Sequence, residues 1–362
     1  MTEIICEVRN HIAFITLNRP AALNALSLDM VLTLSNITHE CALDPNVRAV
    51  LLRGAGEKAF CAGGDIRALY QSYKTSGTVH REFFASEYAL DYFLRFYPKP
   101  CIALMDGITM GGGMGIAQGS AMRIVGERTR IAMPEVAIGF FPDVGGSFFL
   151  SRLPGELGLY LALTGVQIRA SDALYTGLAD IYLAPEAVER LDAELAGLAW
   201  TADPRADVAR VIDGLKSTPP GLVPLAAVRG AVDQHFAAAS VAGILKSLRA
   251  ERRPQYVDWA RQTCSIIETR SPTMVAVTLQ QLRRGRSMSF ADCLRMEFDM
   301  TQQCFEQGDF IEGVRAMIID KDNSPHWRPA SSNEVTEQSV DGFFDGRWRM
   351  TAHPLANLQE NF

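Results

Sequence analysis

The length, composition and charge of the chain narrow the classes of protein to which it can belong. It has 362 residues, of which 48% are hydrophobic and 21% are charged, and a formal net charge of −6. The length exceeds the roughly 250–300 residues at which a single core usually stops growing, so one large domain with an appendage, or two domains, is expected. The ordinary globular composition argues against disorder, and the acidic balance argues against nucleic acid or an anionic membrane as the main partner.

Cysteine usage and the placement of apolar residues indicate a compartment. The seven cysteines are an odd number and form no C-x-x-C pair, which is typical of a reducing compartment and argues against disulfides or a zinc site. The N-terminal residues show no basic region followed by an apolar stretch, and no apolar run reaches the roughly 18 residues of a membrane span. We therefore expect a cytoplasmic protein that neither spans a membrane nor holds a metal.

The first half of the chain alternates between strand and helix signals. Residues 2–8 and 12–17 are short apolar runs separated by Asn10 and His11, which predicts a β-hairpin. Ser27 suits the N-cap of a helix whose apolar residues follow at helical spacing. Later strands are predicted at residues 48–53, 101–105, 121–125 and 129–132, and helices after residue 65 and at residues 80–97, 155–163, 171–177 and 185–198. This alternation predicts an α/β fold.

The pattern changes near residue 200. Residues 204–224 contain four prolines, which predicts a connecting loop. Residues 225–320 show helical periodicity without strand signals. We therefore expect a catalytic core over residues 1–200 and a mainly helical C-terminal region over residues 201–362.

Two glycine-rich segments follow predicted strands, at residues 60–66 (FCAGGDI) and 107–115 (GITMGGGMG). A P-loop is excluded because Lys58 precedes the glycines of its segment, and a dinucleotide fingerprint is excluded because Ile116 takes the place of its third glycine. Such turns can expose backbone N–H groups to a ligand oxygen and form an oxyanion hole. They can equally serve tight packing alone, and the segments by themselves leave both interpretations open.

Two acids lie in an otherwise apolar or Gly- and Pro-rich stretch, residues 133–146. Burial of Glu135 and Asp143 there would disfavour their charged forms and raise their pKa values, as general acid–base chemistry near neutral pH requires. The structural alternatives are that Glu135 is a helix-start acid after Pro134 and that Asp143 caps a helix beginning near Gly145.

Other reactive side chains give weaker signals. Glu87 has aromatic neighbours on its predicted helix, yet the residues alone favour a solvated helix-face charge. Cys61, beside a glycine turn, is either a nucleophile or a small buried filler, and the filler is favoured because no basic partner is near in sequence. The six histidines are scattered, and neither G-x-S-x-G nor H-E-x-x-H occurs, which argues against a serine triad or a zinc protease.

Several long motifs in order give the chain a family resemblance. Those that resemble the crotonase (enoyl-CoA hydratase/isomerase) superfamily are residues 18–26 (NRPAALNAL), 59–66 (AFCAGGDI), 99–115 (KPCIALMDGITMGGGMG) and 133–146. Those that resemble its branch of 3-hydroxyisobutyryl-CoA hydrolases are residues 132–165, 177–180 (GLAD), 271–282 (SPTMVAVTLQQL) and 309–327 (DFIEGVRAMIIDKDNSPHW). The resemblance implies a crotonase-like spiral of β-β-α turns with a helical C-terminal region.

The resemblance also implies roles for five residues. The backbone N–H groups of Gly64 and Gly112 would form the oxyanion hole for a thioester carbonyl. Glu135 matches a catalytic glutamate shared with the hydratases, and Asp143 matches the aspartate of the hydrolase branch. Glu87 falls on a position associated with substrate binding in that branch.

One departure distinguishes the branches. Hydratases of this superfamily carry a second catalytic glutamate where this chain has Gly115. Its loss, together with the presence of Asp143, favours hydrolysis of an acyl-CoA thioester, 3-hydroxyisobutyryl-CoA above all, over hydration. An enoyl-CoA hydratase or isomerase and a non-catalytic acyl-CoA-binding protein are the alternatives. The resemblance implies no cofactor beyond the coenzyme A of the substrate, and it suggests a homo-oligomer while leaving the oligomeric state and the acyl group open.

Overall fold

A computed structural model describes residues 2–307, 309–346 and 353–359. Its strands are β1 (Ile4–Arg9), β2 (Ile12–Leu17), β3 (Ala49–Gly54), β4 (Ala59–Cys61), β5 (Cys101–Met105), β6 (Ile108–Met110), β7 (Met122–Val125), β8 (Arg130–Ala132) and β9 (Ile181–Tyr182). Its first helices are α1 (Leu28–Leu43), α2 (Ile66–Lys74), α3 (Val79–Arg95), α4 (Gly112–Gly119), α5 (Gly146–Phe149), α6 (Leu157–Thr164), α7 (Ala170–Thr176) and α8 (Pro185–Ala196). The later helices are α9 (Pro204–Leu215), α10 (Pro224–Phe236), α11 (Val241–Arg249), α12 (Val257–Glu268), α13 (Pro272–Gly285), α14 (Phe290–Gln307), α15 (Asp309–Val314) and α16 (Glu337–Asp341).

The strands form two sheets. One has the order β1-β2-β3-β5-β7-β9, with β1 antiparallel to β2 and the remaining pairs parallel. Its inner strands are mostly apolar because a parallel sheet is covered on both faces. The second sheet has the order β4-β6-β8, and β3, β5 and β7 of the first sheet are each followed along the chain by a short strand of the second. This alternation confirms the predicted α/β fold with β-β-α turns.

Local sequence patterns predicted most helices and strands of the first half of the chain correctly. Asn10 and His11 both take positive φ, at 44° and 64°, and make the tight turn of the predicted hairpin. The side chain of Ser27 accepts a hydrogen bond from the N–H of Met30 and caps α1 as expected. The sequence did not reveal β4 and β6, because each is only three residues long and lies inside a glycine-rich segment.

The chain forms two compact units whose segments alternate along the sequence. The first contains Met1–Asp65, Ala89–Ile131 and Gln167–Val223, and the second contains Ile66–Tyr88, Ala132–Val166 and Pro224–Phe362. The predicted division of the chain into two domains near residue 200 stays a prediction.

In the first unit the predicted connecting loop over residues 204–224 was wrong. Most of it is helix α9, which begins at Pro204, where the missing N–H of proline costs nothing because the first helical N–H groups have no intrahelical acceptor. The side chain of Asp203 caps it by accepting from the N–H groups of Arg205 and Ala206. Residues Val208 and Ile212 of this helix are buried in one apolar cluster with the sheet. The prediction therefore mistook Pro204, the first residue of a helix, for a residue of a loop.

In the second unit the helical structure predicted for residues 225–320 is confirmed. Helices α10 to α15 account for most of the described residues from Pro224 to Val314, and no strand occurs among the residues described there. Within the described ranges of the whole chain, every helix is too short or too polar to cross a lipid bilayer.

Candidate active site

Glu135 opens a tight turn in the second unit. It is the first residue of the 3-10 turn Glu135–Ile138, which Gly139 closes at a φ of 70° by donating its N–H to the carbonyl of Glu135. A Cβ added to Gly139 would lie 2.2 Å from the carbonyl oxygen of Asp309. Only glycine allows both this backbone conformation and this close approach, so the turn that carries Glu135 is fixed by its neighbours.

The carboxyl of Glu135 is buried and incompletely satisfied. The residue is 7% exposed, and its Oε2 atom has no hydrogen-bond partner within the part of the chain that the structure describes. Burial is the main cause that raises the pKa of Glu135 well above its usual value, and the charge of Asp143 adds to it. Glu135 therefore opens a turn, as the structural alternative stated, but its carboxyl is not the solvated charge that usually begins a helix.

Asp143 lies in the same buried loop and does not cap a helix. The N-cap of α5 is Gly145, without a side-chain hydrogen bond, so the capping alternative is wrong. Asp143 is 5% exposed, and its Oδ2 atom accepts a hydrogen bond of 2.7 Å from the hydroxyl of Tyr88. Burial raises the pKa of Asp143 to about 7, against the opposing effect of the Tyr88 hydroxyl.

Tyr88 belongs to a chain of hydroxyl groups that leads away from Asp143. The hydroxyl oxygens of Tyr88 and Thr301 are 3.1 Å apart, and Thr301 donates to the carbonyl oxygen of Glu297 at 2.8 Å. The sequence showed Tyr88 only as an aromatic neighbour of Glu87. No local pattern could have paired it with Asp143, which is 55 residues away.

Glu297 is a further buried acid close to Asp143 in this unit, and the sequence interpretation missed it. It is 0% exposed on α14, and its two carboxyl oxygens accept hydrogen bonds of 2.8 Å from the N–H groups of Gly145 and Ser147. Burial raises the pKa of Glu297 to about 8, although these N–H donors act in the opposite direction. Because Gly145 lies two residues after Asp143, Glu297 holds the backbone beside a predicted catalytic group.

Glu87 is buried, contrary to the solvated helix-face charge that the residues alone favoured. It is 2% exposed on α3. Its neighbours Phe84 and Tyr88 have ring centroids 5.9 Å apart, so this face of the helix is packed. Its role in substrate binding stays a prediction.

The two glycine turns adjoin each other within the first unit. A Cβ built on Gly63 would lie 3.5 Å from the backbone nitrogen of Gly112. Gly112 is the first residue of α4, and the first N–H groups of a helix have no intrahelical acceptor. The bridge between Leu26 and Gly64 uses the N–H groups of Leu26 and Asp65, so it leaves the N–H of Gly64 to other acceptors.

Close packing explains Gly113 and Cys61 in these turns. A Cβ on Gly113 would lie 2.3 Å from the carbonyl oxygen of Cys61. Cys61 is fully buried, and its sulfur accepts from the N–H of Gly63 at 3.4 Å. These contacts are those of a small buried filler.

The predicted site residues thus form two groups. Gly64 and Gly112 lie in the first unit, and Glu135, Asp143 and Glu87 lie in the second. Across the described residues, no group of three or more His, Cys, Asp or Glu side chains is arranged to hold a metal ion.

Two curated relatives match nearly the whole chain. The protein named 3-hydroxyisobutyryl-CoA hydrolase, mitochondrial, from Xenopus tropicalis is 41% identical over 334 residues, which are 91% of this chain and 85% of that protein. The protein of the same name from Rattus norvegicus is 39% identical over 346 residues, which are 94% of this chain and 88% of that protein.

These names contradict the predicted cytoplasmic location, since both relatives are named as mitochondrial proteins. The prediction was wrong because its two arguments, free thiols and the lack of an apolar secretory stretch, do not test for mitochondria. A mitochondrial transit segment is amphipathic and rich in arginine and serine, and it has no apolar core to detect.

A solved structure and a family model agree on the fold. The crystal structure of a carnitinyl-CoA dehydratase from Mycobacterium thermoresistibile superimposes with a TM-score of 0.87 at 39% identity, and the match covers 94% of this chain and 96% of that chain. The family model described as Enoyl-CoA hydratase/isomerase matches residues 12–344. The chain therefore belongs to the enoyl-CoA hydratase/isomerase family.

Proposed function

We propose that the chain is a thioester hydrolase that converts 3-hydroxyisobutyryl-CoA and water to 3-hydroxyisobutyrate and coenzyme A, a step of valine catabolism. The relatives of that name, at 41% and 39% identity over nearly the whole chain, support this reaction. The observation that carries it is the buried acid pair of the second unit, in which the Oε2 atom of Glu135 has no described partner and Asp143 is held by Tyr88. Two acids with raised pKa values suit proton transfer or nucleophilic attack near neutral pH.

The residue at position 115 separates hydrolysis from hydration. Gly115 lies within the buried helix α4 and supplies no second carboxylate for a water molecule to be held between two acids. The alternative, addition of water to an enoyl-CoA, is favoured by one observation, the 39% identity to the crystal structure of a carnitinyl-CoA dehydratase. Loss of absorbance of the enoyl thioester on incubation with crotonyl-CoA would identify that activity.

The proposed chemistry divides between the two groups of residues. In this proposal the N–H groups of Gly64 and Gly112 bind the carbonyl oxygen of the thioester. That oxygen gains negative charge as the carbonyl carbon is attacked. We assign the attack to Glu135, with assistance from Asp143. Either the Glu135 carboxylate takes a proton from water, which then adds to the carbonyl carbon, or it attacks that carbon itself and forms a mixed anhydride that water opens. In both routes the bond to sulfur breaks and the coenzyme A thiolate leaves and takes a proton, so water is the only co-reactant.

Isotope labelling separates the two routes. In a single turnover in oxygen-18 water, simple base catalysis by Glu135 places the label only in the released acid. Attack by Glu135 allows water to open the anhydride at the Glu135 carbonyl, which leaves label on the enzyme. Mass spectrometry of the peptide that contains Glu135 therefore distinguishes them.

The most informative assay is the release of free thiol from a panel of short acyl-CoAs, with and without a 3-hydroxyl group. Hydrolysis predicts thiol release that is fastest with the 3-hydroxylated, branched four-carbon acyl group. A single methyl group is discriminated by only about 1–3 kcal/mol, so the panel is expected to show graded rates. Binding of these thioesters without thiol release would refute the proposal and indicate an acyl-CoA-binding protein. A homo-oligomer also stays a prediction, which light scattering of the purified chain tests.

A further inference from the structure

The loop that follows Asp143 has an unfavourable backbone conformation. Val144 has a φ of 52° and Gly145 a φ of 84°. Glycine adopts positive φ readily, but for a β-branched residue such as valine this region is a steric outlier. Strain of this kind persists only where the surrounding structure holds it, and it occurs often at functional sites.

Two buried polar side chains hold this loop on both sides of Asp143. The carboxyl of Glu297 accepts from the N–H groups of Gly145 and Ser147, both at 2.8 Å. The Nε2 atom of Gln281 donates to the carbonyl oxygen of Pro142 at 2.6 Å. The same atom donates to the hydroxyl of Ser147 at 2.8 Å. The backbone immediately before and after Asp143 is therefore fixed by side chains from α13 and α14.

The choice of an acid at position 297 is costly and needs a reason. Glu297 and Gln281 are both fully buried, and a buried carboxyl group pays a desolvation cost that a neutral side chain does not. Both oxygens of its carboxyl group, however, accept from a backbone N–H group, and an acid offers an oxygen at each of these two positions. A glutamine of the same size would turn its NH₂ group towards one of those N–H groups. The acid is therefore suited to hold this particular backbone.

We propose that Glu297 and Gln281 are positioning residues that hold the strained segment Asp143-Val144-Gly145 and so direct the Asp143 carboxyl to its partners. This inference rests on the proposed function of Asp143 in hydrolysis. It concerns groups outside the predicted catalytic set: Glu297 lies in none of the quoted family motifs, and Gln281 lies within residues 271–282, where the sequence assigned it no role. Tyr88 fixes the carboxyl of Asp143 itself, so the backbone and the side chain of this residue are held by different groups.

The test is Glu297→Gln in the full chain, with Leu248→Ala as a matched control. Leu248 is a buried residue of α11 in the same unit, so its truncation lowers stability without touching the loop. In thiol-release kinetics we expect Glu297→Gln to lower kcat by about 100-fold with a much smaller change in KM, because a misplacement of about 1 Å can cost that much. The control should keep kcat. A kcat for Glu297→Gln equal to that of the control would overturn the proposal.

A spectroscopic readout separates this inference from the proposed function. With aspartate labelled at Cγ with carbon-13, the NMR signal of Asp143 is identified by its loss in Asp143→Asn. We expect that signal to shift or split in Glu297→Gln and to stay unchanged in Leu248→Ala, whichever reaction the enzyme catalyses. If the wild-type chain releases no thiol but the signal still responds, the hydrolase proposal fails and the positioning role stands. An unmoved signal refutes the positioning role alone.

A second variant covers the case in which Glu297→Gln does not fold. Gln281→Met keeps the length of the side chain and removes the donor to Pro142 and Ser147. We expect the same direction of change in kcat and in the Asp143 signal. If Gln281→Met folds and leaves both unchanged, the proposal is refuted for Gln281 and loses its second support.

Discussion

The Tyr88 hydroxyl group acts directly on the ionisation of Asp143. It donates to Asp143 Oδ2 at 2.7 Å, while the neighbouring Thr301 hydroxyl is committed as a donor to the carbonyl of Glu297. Tyr88→Phe therefore removes one donor without leaving the Thr301 proton unpaired. The ring of Tyr88 is fully buried, and phenylalanine fills the same space, so the fold should be kept.

The size of the effect follows from the energy of the lost hydrogen bond. A hydrogen bond to a charged group contributes about 1.5–3 kcal/mol, and a pKa change of one corresponds to about 1.4 kcal/mol. Because the Tyr88 hydroxyl stabilises the ionised form, its removal should raise the pKa of Asp143 from about 7 by roughly one to two pH units. If the ionised form is the active one, the ionised fraction at pH 7 falls from about half to roughly 1–10%. We therefore expect kcat/KM at pH 7 to fall by roughly 5- to 50-fold.

The assay is the pH dependence of thiol release, together with a carbon-13 NMR titration of Asp143. Tyr97→Phe is the matched control, because Tyr97 is also buried and its hydroxyl donates at 2.8 Å to a neutral group, the carbonyl oxygen of Thr38. The acid limb of the Tyr88→Phe profile should move to higher pH and rejoin the wild-type rate there. An Asp143 titration that is the same in wild type and Tyr88→Phe, or that moves equally in Tyr97→Phe, would show the reasoning to be wrong.

Three further expectations concern the other acids and the glycine turns. Glu135→Gln should lower kcat by about 10²–10⁴-fold, the usual contribution of a general acid or base, while calorimetry still detects acyl-CoA binding; near-normal turnover would remove Glu135 from the mechanism. Gly113→Ala should lower kcat because its Cβ would lie 2.3 Å from the carbonyl oxygen of Cys61 and displace the start of α4, whereas Gly214→Ala, with nothing within 4 Å, should keep full activity in the same assay. The pKa of Glu297 is raised in the folded chain from 4.5 to about 8, so the folded state binds this proton more tightly than the unfolded state and stability should fall as pH rises across that interval. Urea unfolding at several pH values should show this decline in wild type and a weaker one in Glu297→Gln; equal slopes would refute the assignment.

The acid pair could be predicted because its signal is local. Glu135 and Asp143 lie within one stretch of apolar residues, and a stretch that is buried as a whole desolvates the acids it contains. The structure bears out their burial and gives both a raised pKa. The same local pattern could not decide whether Asp143 caps a helix, because that depends on where the following helix begins.

The partners of these acids could not be predicted, because they arrive from distant parts of the sequence. Tyr88 is 55 residues from Asp143, and Glu297 is 152 residues from Gly145. Neither lies in a motif, and each alone would be taken for an ordinary helical residue. What could have drawn attention to Glu297 is its apolar surroundings on α14, since an acid on a helix face that is otherwise buried is rarely left uncompensated.

The errors in the fold have a related cause. Pro204 indicated a loop, yet it begins α9, because proline breaks a helix only in its interior and is well suited to its first turn. Strands β4 and β6 were hidden because three residues carry no detectable alternation. In both cases the deciding information was which neighbours the segment packs against.

The buried acids Glu135, Asp143 and Glu297 differ in how many hydrogen-bond donors their carboxyl groups receive, and that difference bears on their roles. Glu297 receives two backbone N–H groups and Asp143 receives the Tyr88 hydroxyl, whereas the Oε2 atom of Glu135 receives none from the described residues. A buried polar atom left without a partner costs about 1–3 kcal/mol. A ligand that supplies the missing partner would remove the cost. This difference supports Glu135 as the group that contacts the thioester and Asp143 as the charge that raises the pKa of Glu135. It supports Glu297 as the acid that holds the backbone after Asp143.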